Sequence, residues 1–543
     1  MIPITIAKGP FEGQKPGTSG LRKKTRVFME PGYLECFVQS VFNAIDGAEG
    51  KTFVIGGDGR FFNVEAVQSI LKIAAANGAA HAIVGQGGLL STPAVSHLIR
   101  MRGTDGGLVL SASHNPGGID EDFGIKYNVA NGGPAPEHVT AKIFAQTETI
   151  AEYTTCDAGS VDLAALGLQS IGQMQIEIID PVADYASLME SLFDFDKIAA
   201  LFSGGFTMRF DAMHAVTGPY AKAILENRLG APAGTVINAV PSEDFGGGHP
   251  DPNPVWAKAL MDEMMSDTAP DFGAASDGDG DRNMIVGRGV YVTPSDSLAI
   301  LAANAHLTPG YASGLAGVAR SMPTSGAADR VAEKLGIASF ETPTGWKFFG
   351  NLLDAGKATI CGEESAGTGS DHVREKDGLW AVLLWLNILA TRQQSVSEIL
   401  TSHWSEFGRN YYSRHDYEAV PSEQADVMMQ ALGKKIPNLV GKTLAGQTVS
   451  VADSFAYNDP VDGSTSANQG LRIHFEGGGR VVLRLSGTGT SGATIRVYLE
   501  QYADPSADHE LEVENALTAV RSAALEVTEM EHHIGRTTPD VMT

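Results

Sequence analysis

The sequence has few cysteines and no long hydrophobic run. Its three cysteines, Cys36, Cys156 and Cys361, are scattered through 543 residues. An odd number of distant cysteines argues against a disulfide framework and predicts a reducing compartment, the cytoplasm. No apolar run reaches the roughly 18 residues that a membrane span needs. The first eight residues also lack the charged start, apolar core and cleavage site of a signal peptide. We therefore expect a soluble protein without membrane partners.

Positive charge is also scarce. The chain has 39 Lys and Arg residues against 64 Asp and Glu residues, for a net charge of −25. Nucleic acid needs a basic footprint on its partner, so this balance argues against nucleic-acid binding. A small anionic substrate would require a locally basic cleft. Clusters of Lys and Arg beside glycine-rich loops are therefore informative in this chain.

The composition that remains is typical of a soluble globular protein, with 43% hydrophobic and 19% charged residues. A chain of 543 residues should contain about three to four domains. We place the predicted domain boundaries so that the domains cover residues 1–187, 188–299, 300–404 and 405–543.

Strand and helix patterns alternate through most of the chain. Residues 52–58 read as a buried strand, 64–76 as a helix and 81–84 as a strand. Such alternation predicts a largely parallel sheet with helices packed on it. The pattern recurs with strands at 207–211, Phe272–Ser276, 314–319 and 358–361, and with helices at 219–229 and Ala327–Leu335.

The last part of the chain differs from the rest. Leu471–Phe475 and 480–484 alternate polar and apolar residues and are joined by three glycines, which predicts antiparallel strands. The fold class is therefore α/β, with three α/β domains and a smaller C-terminal α+β domain.

A serine-rich turn follows a buried strand. The apolar run 107–110 leads into Ser111-Ala-Ser113-His114, and Asn-Pro-Gly-Gly follows. Asn-Pro and Gly-Gly mark a tight loop, so a serine hydroxyl lies just beyond the carboxyl end of a strand, where open α/β sheets build their sites. An ordinary strand-to-helix turn is the alternative.

An acidic loop carries the sharpest signal. Asp277, Asp279 and Asp281 alternate with glycines, and Arg282 follows. Such oxygen ligands suit Mg²⁺, Mn²⁺ or Ca²⁺, and loop-bound Mg²⁺ often shares its shell with a phosphate. The alternative is an acidic turn that faces solvent and binds no metal. An EF-hand is excluded because its twelfth position holds Arg288 rather than Glu.

Four further loops could contact an anionic sugar. Residues 17–26 combine small residues with four cations, 362–369 combine glutamates with glycines, and 374–378 supply cations. Residues 484–492, with Arg496 behind them, are rich in Gly, Ser and Thr and predict a phosphate-binding nest. That loop is not a Walker A motif, because it lacks Gly-Lys-[Ser/Thr]. Each could instead be a plain loop or hairpin turn.

Seven segments of the chain together resemble the α-D-phosphohexomutase superfamily, and within it the phosphoglucomutases. They occur in the order that the family has, and they span nearly the whole chain: 17–22, 113–118, 123–126, 277–282, 343–347, 362–365 and 484–489. The resemblance implies three similar α/β domains with mixed sheets plus a smaller C-terminal domain, arranged around one central cleft. One local departure is Ala366, where a bulkier residue is expected in relatives.

The resemblance also implies roles for individual residues. Ser113 would be the phosphoserine that carries the phosphoryl group, and Lys126 the general acid/base, with Arg22 and His114 beside the transferring group. The Ser113 phosphate would bind Mg²⁺ together with Asp277, Asp279 and Asp281. A lysine near Mg²⁺ is expected to have a lowered pKa. The substrate-binding residues would be Arg22, Arg282, Thr344, Gly345, Glu363, Ser365, Lys376, Arg484, Ser486, Gly487, Thr488, Gly489 and Arg496.

The implied activity is the interconversion of glucose 1-phosphate and glucose 6-phosphate, with glucose 1,6-bisphosphate as intermediate and activator. The partner would thus be a small phosphosugar, and the protein a monomer or homodimer. A phosphomannomutase or dual-specificity mutase is the first alternative. A non-catalytic phosphoprotein of the same fold is the second, although the intact serine, aspartates and lysine argue against it.

Overall fold

The computed structural model describes residues 2–17, 19–489 and 492–543. The chain divides into two compact units, each built from separate stretches. The first consists of Met1–Pro294, Asn304–Ala316 and Gly345–Val396, and the second of Ser295–Ala303, Gly317–Thr344 and Ser397–Thr543.

The largest sheet of the first unit is mixed, with a parallel centre and antiparallel edges. The predicted strand–helix–strand alternation is confirmed, because Thr52 pairs with His81 in parallel and a helix connects their strands. In spatial order, the seven strands are Leu21–Lys24, Asp122–Val129, Gly106–Leu110, Thr52–Gly57, His81–Leu89, Met174–Ile179 and Gly167–Ile171. Pro3–Ala7 and Glu152–Cys156 form a separate antiparallel pair.

The helix Asn63–Ala76 shows why this alternation forms. Its fully buried residues Val67, Ile70, Leu71 and Ala74 recur at helical spacing, so one face packs into the core. Burying each large aliphatic side chain contributes roughly 1.5–3 kcal/mol. That face covers the sheet whose strand ends carry the site.

A second mixed sheet in the first unit leads into the acidic loop. Its five strands, in spatial order, are Val236–Ile237, Met208–Asp211, Phe272–Ser276, Asn283–Gly287 and Val290–Val292. The helix predicted at 219–229 is an α-helix, Thr217–Ala221, that continues as a π-helix, Lys222–Arg228. The wider turn arises because the Leu229 N–H bonds to the Ile224 carbonyl, five residues back.

The remaining elements of the first unit are short strands and helices. Ile360–Gly362 pairs with Thr368–Ser370, two residues later than the predicted strand start, because the Ala358 N–H still bonds to the Leu352 carbonyl. The other helices are Thr25–Phe28, Tyr33–Ala44, Thr92–Arg102, Glu137–Thr149, Ala183–Leu192, Phe195–Ser203, Phe245–Gly247, Lys258–Met264, Ala305–Leu307, Pro309–Tyr311, Trp346–Asp354 and Gly378–Arg392.

The second unit contains an antiparallel sheet, as predicted from the C-terminal pattern. Its seven strands, in spatial order, are Thr443–Leu444, Gln447–Ser454, Leu471–Phe475, Gly479–Gly489, Gly492–Ala503, Arg409–Val420 and Val541–Met542. The predicted phosphate loop at 484–489 is instead the end of a strand, because Arg484 and Ser486 pair with Arg496 and Thr494.

Parallel strands and helices complete the second unit. The strand predicted at 314–319 begins only at Gly317, because Gly314 closes a turn on Tyr311 with a φ of 89°. That strand, Gly317–Ser321, pairs with Ala338–Thr342, and a short antiparallel pair joins Tyr457–Asn458 to Thr465–Ser466. The helices that lie wholly or mostly in this unit are Pro294–Asn304, Ala327–Leu335, Val396–Phe407, Ser422–Lys435, Ile436–Asn438, Val513–Thr528 and Met530–Ile534.

None of the helices within the described parts of the chain is both long enough and apolar enough to cross a membrane.

Candidate active site

The predicted nucleophile, Ser113, lies in a strained turn just after the strand Gly106–Leu110. Its φ is 54°, in the left-handed region that non-glycine residues seldom adopt, and its N–H donates to Ser111 Oγ at 2.7 Å. The Ser113 hydroxyl donates to Asp277 Oδ2 at 3.0 Å and lies 3.3 Å from His114 Nδ1. Ser113 is 4% exposed, so the turn aims a nearly buried hydroxyl at the acidic loop.

A fully buried ion pair supports this turn. Arg60 donates to both carboxylate oxygens of Asp58 at 3.0 Å, and its Nη2 donates to the Ser113 carbonyl at 2.8 Å. Both side chains are 0% exposed. Burial raises the pKa of Asp58, and the Arg60 charge opposes that shift. Neither residue carried a recognisable signal in the sequence, because their contact with Ser113 depends on tertiary structure.

Glycine allows the acidic loop to approach the serine turn. A Cβ built on Gly278 would lie 2.4 Å from the Ser113 carbonyl oxygen, closer than real Cβ contacts allow. Any side chain at this position would therefore push the loop away from Ser113. The alternation of glycine with aspartate is thus needed for the geometry as well as for the turn.

The three aspartates converge as predicted. Asp277, Asp279 and Asp281 are buried, and ligand oxygens from all three lie within 4.8 Å of one another. Asp277 Oδ1 accepts from the N–H groups of Asp281 and Arg282 at 2.9 and 3.0 Å. Asp279 Oδ2 accepts from Thr92 Oγ1 at 2.6 Å, which fixes the central carboxylate.

The chemistry of this cluster fits a hard divalent cation. Buried Asp279 Oδ1 has no hydrogen-bond partner among the residues described, although a buried carboxylate oxygen normally has one. Burial, and then the charges of Asp281 and Asp279, raise the pKa of Asp277 well above its ordinary value. A bound cation would offset this mutual repulsion and take up the unpartnered oxygen.

Lys126 reaches the same cluster from the strand Asp122–Val129. Its Nζ lies 3.1 Å from Glu375 Oε1 and 4.0 Å from Asp279 Oδ2. Burial lowers the pKa of Lys126, but the Glu375 and Asp279 charges outweigh it, so the pKa is raised. The lowering expected for Lys126 beside bound Mg²⁺ stays a prediction. The pairing of this lysine with Glu375 had no signal in the sequence.

Arg22 and His114 are both partly buried beside the acidic loop. Arg22 comes from the strand Leu21–Lys24, which pairs antiparallel with Asp122–Val129 and places Arg22 opposite Gly124. Burial lowers the pKa of Arg22. Burial, then the charges of Arg282 and Arg22, hold the pKa of His114 well below its usual range, so its imidazole is neutral at pH 7.

The other predicted cations of the first unit are oriented by carboxylates. Lys376 Nζ lies 3.1 Å from Asp281 Oδ1, and Arg282 Nη1 lies 3.2 Å from Asp251 Oδ1. Sequence reasoning missed Asp251. It also missed His249, whose ring centroid lies 6.1 Å from that of His114. Both residues alternate with prolines in the segment 249–254, a pattern with no catalytic signal.

The loop 362–369, which is predicted to bind the sugar, contacts the predicted substrate segment 343–347. Glu363 Oε1 accepts from the Gly345 N–H at 3.0 Å, so these two predicted residues are adjacent. Ala366 has a φ of 70°, and its carbonyl accepts from the Asn283 backbone and side chain at 2.9 and 3.1 Å. Ser365, just before it, is partly buried.

The remaining predicted residues belong to the second unit. Arg484 lies directly opposite Arg496 on neighbouring strands, and Arg496 in turn lies opposite Asp416. Asp416 Oδ2 is 3.7 Å from Arg496 Nε, while Ser486 and Thr344 are partly buried. Two arginines side by side repel each other, which favours an anion between them. The predictions at Gly487, Thr488 and Gly489 lie outside the residues whose surroundings are described.

Family models match the chain in four consecutive parts. The models of phosphoglucomutase/phosphomannomutase α/β/α domains I, II and III match residues 13–154, 183–289 and 294–407. A model of the phosphoglucomutase-1 C-terminal domain matches residues 409–540. Three α/β domains and a C-terminal domain are therefore confirmed as the fold.

Individual relatives are similar over nearly the whole chain. The phosphoglucomutase of Rhizobium radiobacter is 60% identical over 539 residues, 99% of each chain. Phosphoglucomutase-1 of Homo sapiens is 52% identical over 559 residues, again 99% of each chain. The crystal structure of the Paramecium exocytosis-sensitive phosphoprotein parafusin, a phosphoglucomutase, in its open form has a TM-score of 0.93 and 49% identity, covering 100% of this chain and 99% of that one.

Proposed function

The chain belongs to the phosphoglucomutase/phosphomannomutase family, and from this premise we propose how its residues interconvert α-D-glucose 1-phosphate and α-D-glucose 6-phosphate. Phosphoglucomutase activity follows from similarity to phosphoglucomutases along nearly the entire chain. The roles of individual residues are the proposal. The observation that carries it is the Ser113 hydroxyl, held 3.0 Å from a buried cluster of three aspartates.

Ser113 carries the phosphoryl group. In the first half-reaction the bond between phosphorus and the serine oxygen breaks, and a bond to a hydroxyl of the sugar monophosphate forms. The hydroxyl proton ends on the serine oxygen, so the products are free Ser113 and glucose 1,6-bisphosphate. The reverse transfer from the other end of the bisphosphate restores phosphoserine and releases the isomeric monophosphate.

Asp277, Asp279 and Asp281 would hold Mg²⁺ together with the phosphate of Ser113. When bound, Mg²⁺ supplies positive charge that stabilises the transferring phosphoryl group. The cluster supports this role because its carboxylates are buried and converge, and because Asp279 Oδ1 is unpartnered among the described residues.

Lys126 moves the proton, and cations surround the reacting group. The Lys126 ammonium group donates a proton to the departing serine oxygen, and the amine formed takes up the proton of the attacking hydroxyl. The nearby Glu375 favours the charged form that donates this proton. Arg22, Arg282 and Lys376 neutralise the phosphoryl oxygens, and neutral His114 donates or accepts a hydrogen bond beside Ser113.

Other residues bind the part of the substrate that does not react. Glu363 and Ser365, with Thr344 and Gly345, contact the sugar hydroxyls. The phosphate that is not transferred binds at Arg484, Ser486, Gly487, Thr488, Gly489 and Arg496. The opposed pair of Arg484 and Arg496 supports this assignment. Because these residues can bind the phosphate at either end of glucose 1,6-bisphosphate, the single Ser113 can react at both positions of the sugar.

A coupled assay tests the activity directly. Purified protein with Mg²⁺ and a trace of glucose 1,6-bisphosphate should convert glucose 1-phosphate to glucose 6-phosphate. Mannose 1-phosphate in a parallel assay separates a glucose enzyme from a phosphomannomutase or dual-specificity enzyme. No turnover of glucose 1-phosphate, with correctly folded protein, would contradict the function.

Three properties of the whole protein are also proposals. The scattered cysteines support a cytoplasmic location, which cell fractionation tests. A monomer or homodimer is expected by light scattering. The domain boundaries 1–187, 188–299, 300–404 and 405–543 are tested by limited proteolysis followed by mass spectrometry of the fragments.

A further inference from the structure

We propose that Glu375 is a positioning residue for the phosphoryl transfer, which holds the Lys126 ammonium group where it can exchange a proton with the reacting oxygens. The inference rests on the proposed role of Lys126 as acid/base. It goes further because it gives a function to a residue that the sequence motifs left among ordinary loop residues.

The contacts of Glu375 are specific. Glu375 is 2% exposed, and its Oε1 accepts from Lys126 Nζ at 3.1 Å and from Asn128 Nδ2 at 2.9 Å. Lys126 and Asn128 point from the same face of one strand, two residues apart. Glu375 therefore fixes a long flexible side chain against a rigid strand.

The segment that carries Glu375 is anchored at each of its residues. Arg374 donates from its N–H to Ser96 Oγ at 2.9 Å, Lys376 pairs with Asp281, and Asp377 accepts from the Tyr185 hydroxyl at 2.6 Å. These contacts leave the Glu375 carboxylate little freedom to follow the lysine. The fixed Glu375 carboxylate therefore determines where the Lys126 Nζ lies.

The position of Nζ suits proton transfer. A lysine ammonium group has three donors, and Glu375 takes one of them. Asp279 Oδ2 lies 4.0 Å away, beyond hydrogen-bond distance, so donors remain for the hydroxyl and phosphoryl oxygens. Without Glu375, the Asp279 carboxylate would draw the ammonium group toward the metal cluster and away from those oxygens.

Glu375→Gln tests the charge of this contact while keeping the size of the side chain. We expect kcat for glucose 1-phosphate to fall about 10- to 100-fold, because displaced catalytic groups cost that much, while KM stays within about twofold. Glu375→Asp, which keeps the charge on a shorter side chain, should recover part of kcat. Asp354→Asn is the matched control. It removes the carboxylate that pairs with neighbouring Arg374 but touches no reacting group, so kcat should stay within about threefold.

A double-variant cycle shows whether Glu375 acts through Lys126. Lys126→Met alone should abolish nearly all turnover, and adding Glu375→Gln should then change the residual rate by less than about twofold. If Glu375→Gln is too unstable to purify, Glu375→Asp takes its place in the cycle, and its loss of kcat is measured alone and in the Lys126→Met background.

The outcomes separate this inference from the proposed function. Full activity of Lys126→Met would overturn the role of Lys126 itself. An inactive Lys126→Met combined with an unchanged kcat for Glu375→Gln would overturn only the inference. An equal loss of kcat in Asp354→Asn, or a further large loss in the double variant, would show that Glu375 merely stabilises its loop, and this too would overturn the inference.

Discussion

The serine turn of the first unit and the arginine-bearing strand end of the second unit are built in opposite ways. In the serine turn, the buried Ser113 hydroxyl and carbonyl are already hydrogen-bonded to Asp277 and Arg60. At the strand end, the Arg496 side chain is 31% exposed, and its Nε has no hydrogen-bond partner among the described residues.

This difference matches the two tasks that the residues are proposed to perform. Phosphoryl transfer needs reacting groups fixed before the substrate arrives, since reorganising them would raise the barrier. Binding the phosphate that does not react needs donors that the ligand can satisfy, such as the unpartnered Arg496 Nε. Substitutions at the first site should therefore lower kcat, whereas those at the second should act mainly on substrate binding.

The largest expected effect is at the nucleophile. Ser113→Ala should fold normally and lose at least about 10⁴-fold in kcat, because no other hydroxyl replaces the phosphoryl carrier. Steady-state kinetics checks this, with circular dichroism as the control for folding. A kcat within tenfold of the parent would show that the phosphoryl group is carried elsewhere.

Metal removal should be nearly as damaging. A chelator should abolish turnover, and Mg²⁺ should restore it, because the buried carboxylates need a cation to support a phosphoryl group. Asp279→Asn should lower kcat by about 100-fold or more at saturating Mg²⁺. Sustained turnover in chelator, with no metal found by elemental analysis, would contradict the assigned site.

A smaller effect on a different constant is expected at the strand end. Arg496→Ala should lower kcat/KM by about 10- to 100-fold, mainly through KM, because it removes charge-assisted hydrogen bonds to phosphate. Arg330→Ala, which removes a second-unit arginine that stacks on Tyr502, serves as the control and should leave both constants nearly unchanged. If Arg496→Ala lowered only kcat, the contrast between the two regions would fail.

The smallest effect is expected at Asp416, the acidic neighbour of Arg496. Asp416→Asn should raise KM by about two- to fivefold and leave kcat unchanged, because Asp416 orients Arg496 across 3.7 Å in a partly solvated setting. Initial-rate measurements over a range of glucose 1-phosphate check this. An unchanged KM would mean that Arg496 holds its orientation without Asp416.

The sequence predicted the proposed reacting residues better than the residues that position them. Ser113, the three aspartates and Lys126 stand in local motifs whose spacing carries meaning. The supports Arg60, Asp251 and Glu375 meet their partners from 31 to 249 positions away in the chain, and local patterns do not encode such contacts. The same limit explains why the contribution of Glu375 to the Lys126 pKa was not predicted.

The fold shows a similar division. Periodicity predicted helices such as Ala327–Leu335 and the strand Leu471–Phe475, since buried faces leave a repeating pattern. The segment at 484–489 was predicted as a loop from its small residues, but cross-strand pairing with Arg496 and Thr494 makes it a strand end. Tertiary pairing there overrides the local preference for a turn.

Reactivation of dephosphorylated enzyme tests the central claim, that Ser113 carries the phosphoryl group, most directly. Enzyme treated with phosphatase should be idle with glucose 1-phosphate alone. Stoichiometric glucose 1,6-bisphosphate should restore activity in step with the gain of one phosphoryl group, followed by intact-protein mass spectrometry and mapped to Ser113. Full turnover from the first cycle with Ser113 unmodified, or a phosphoryl group mapped to another residue, would contradict the account.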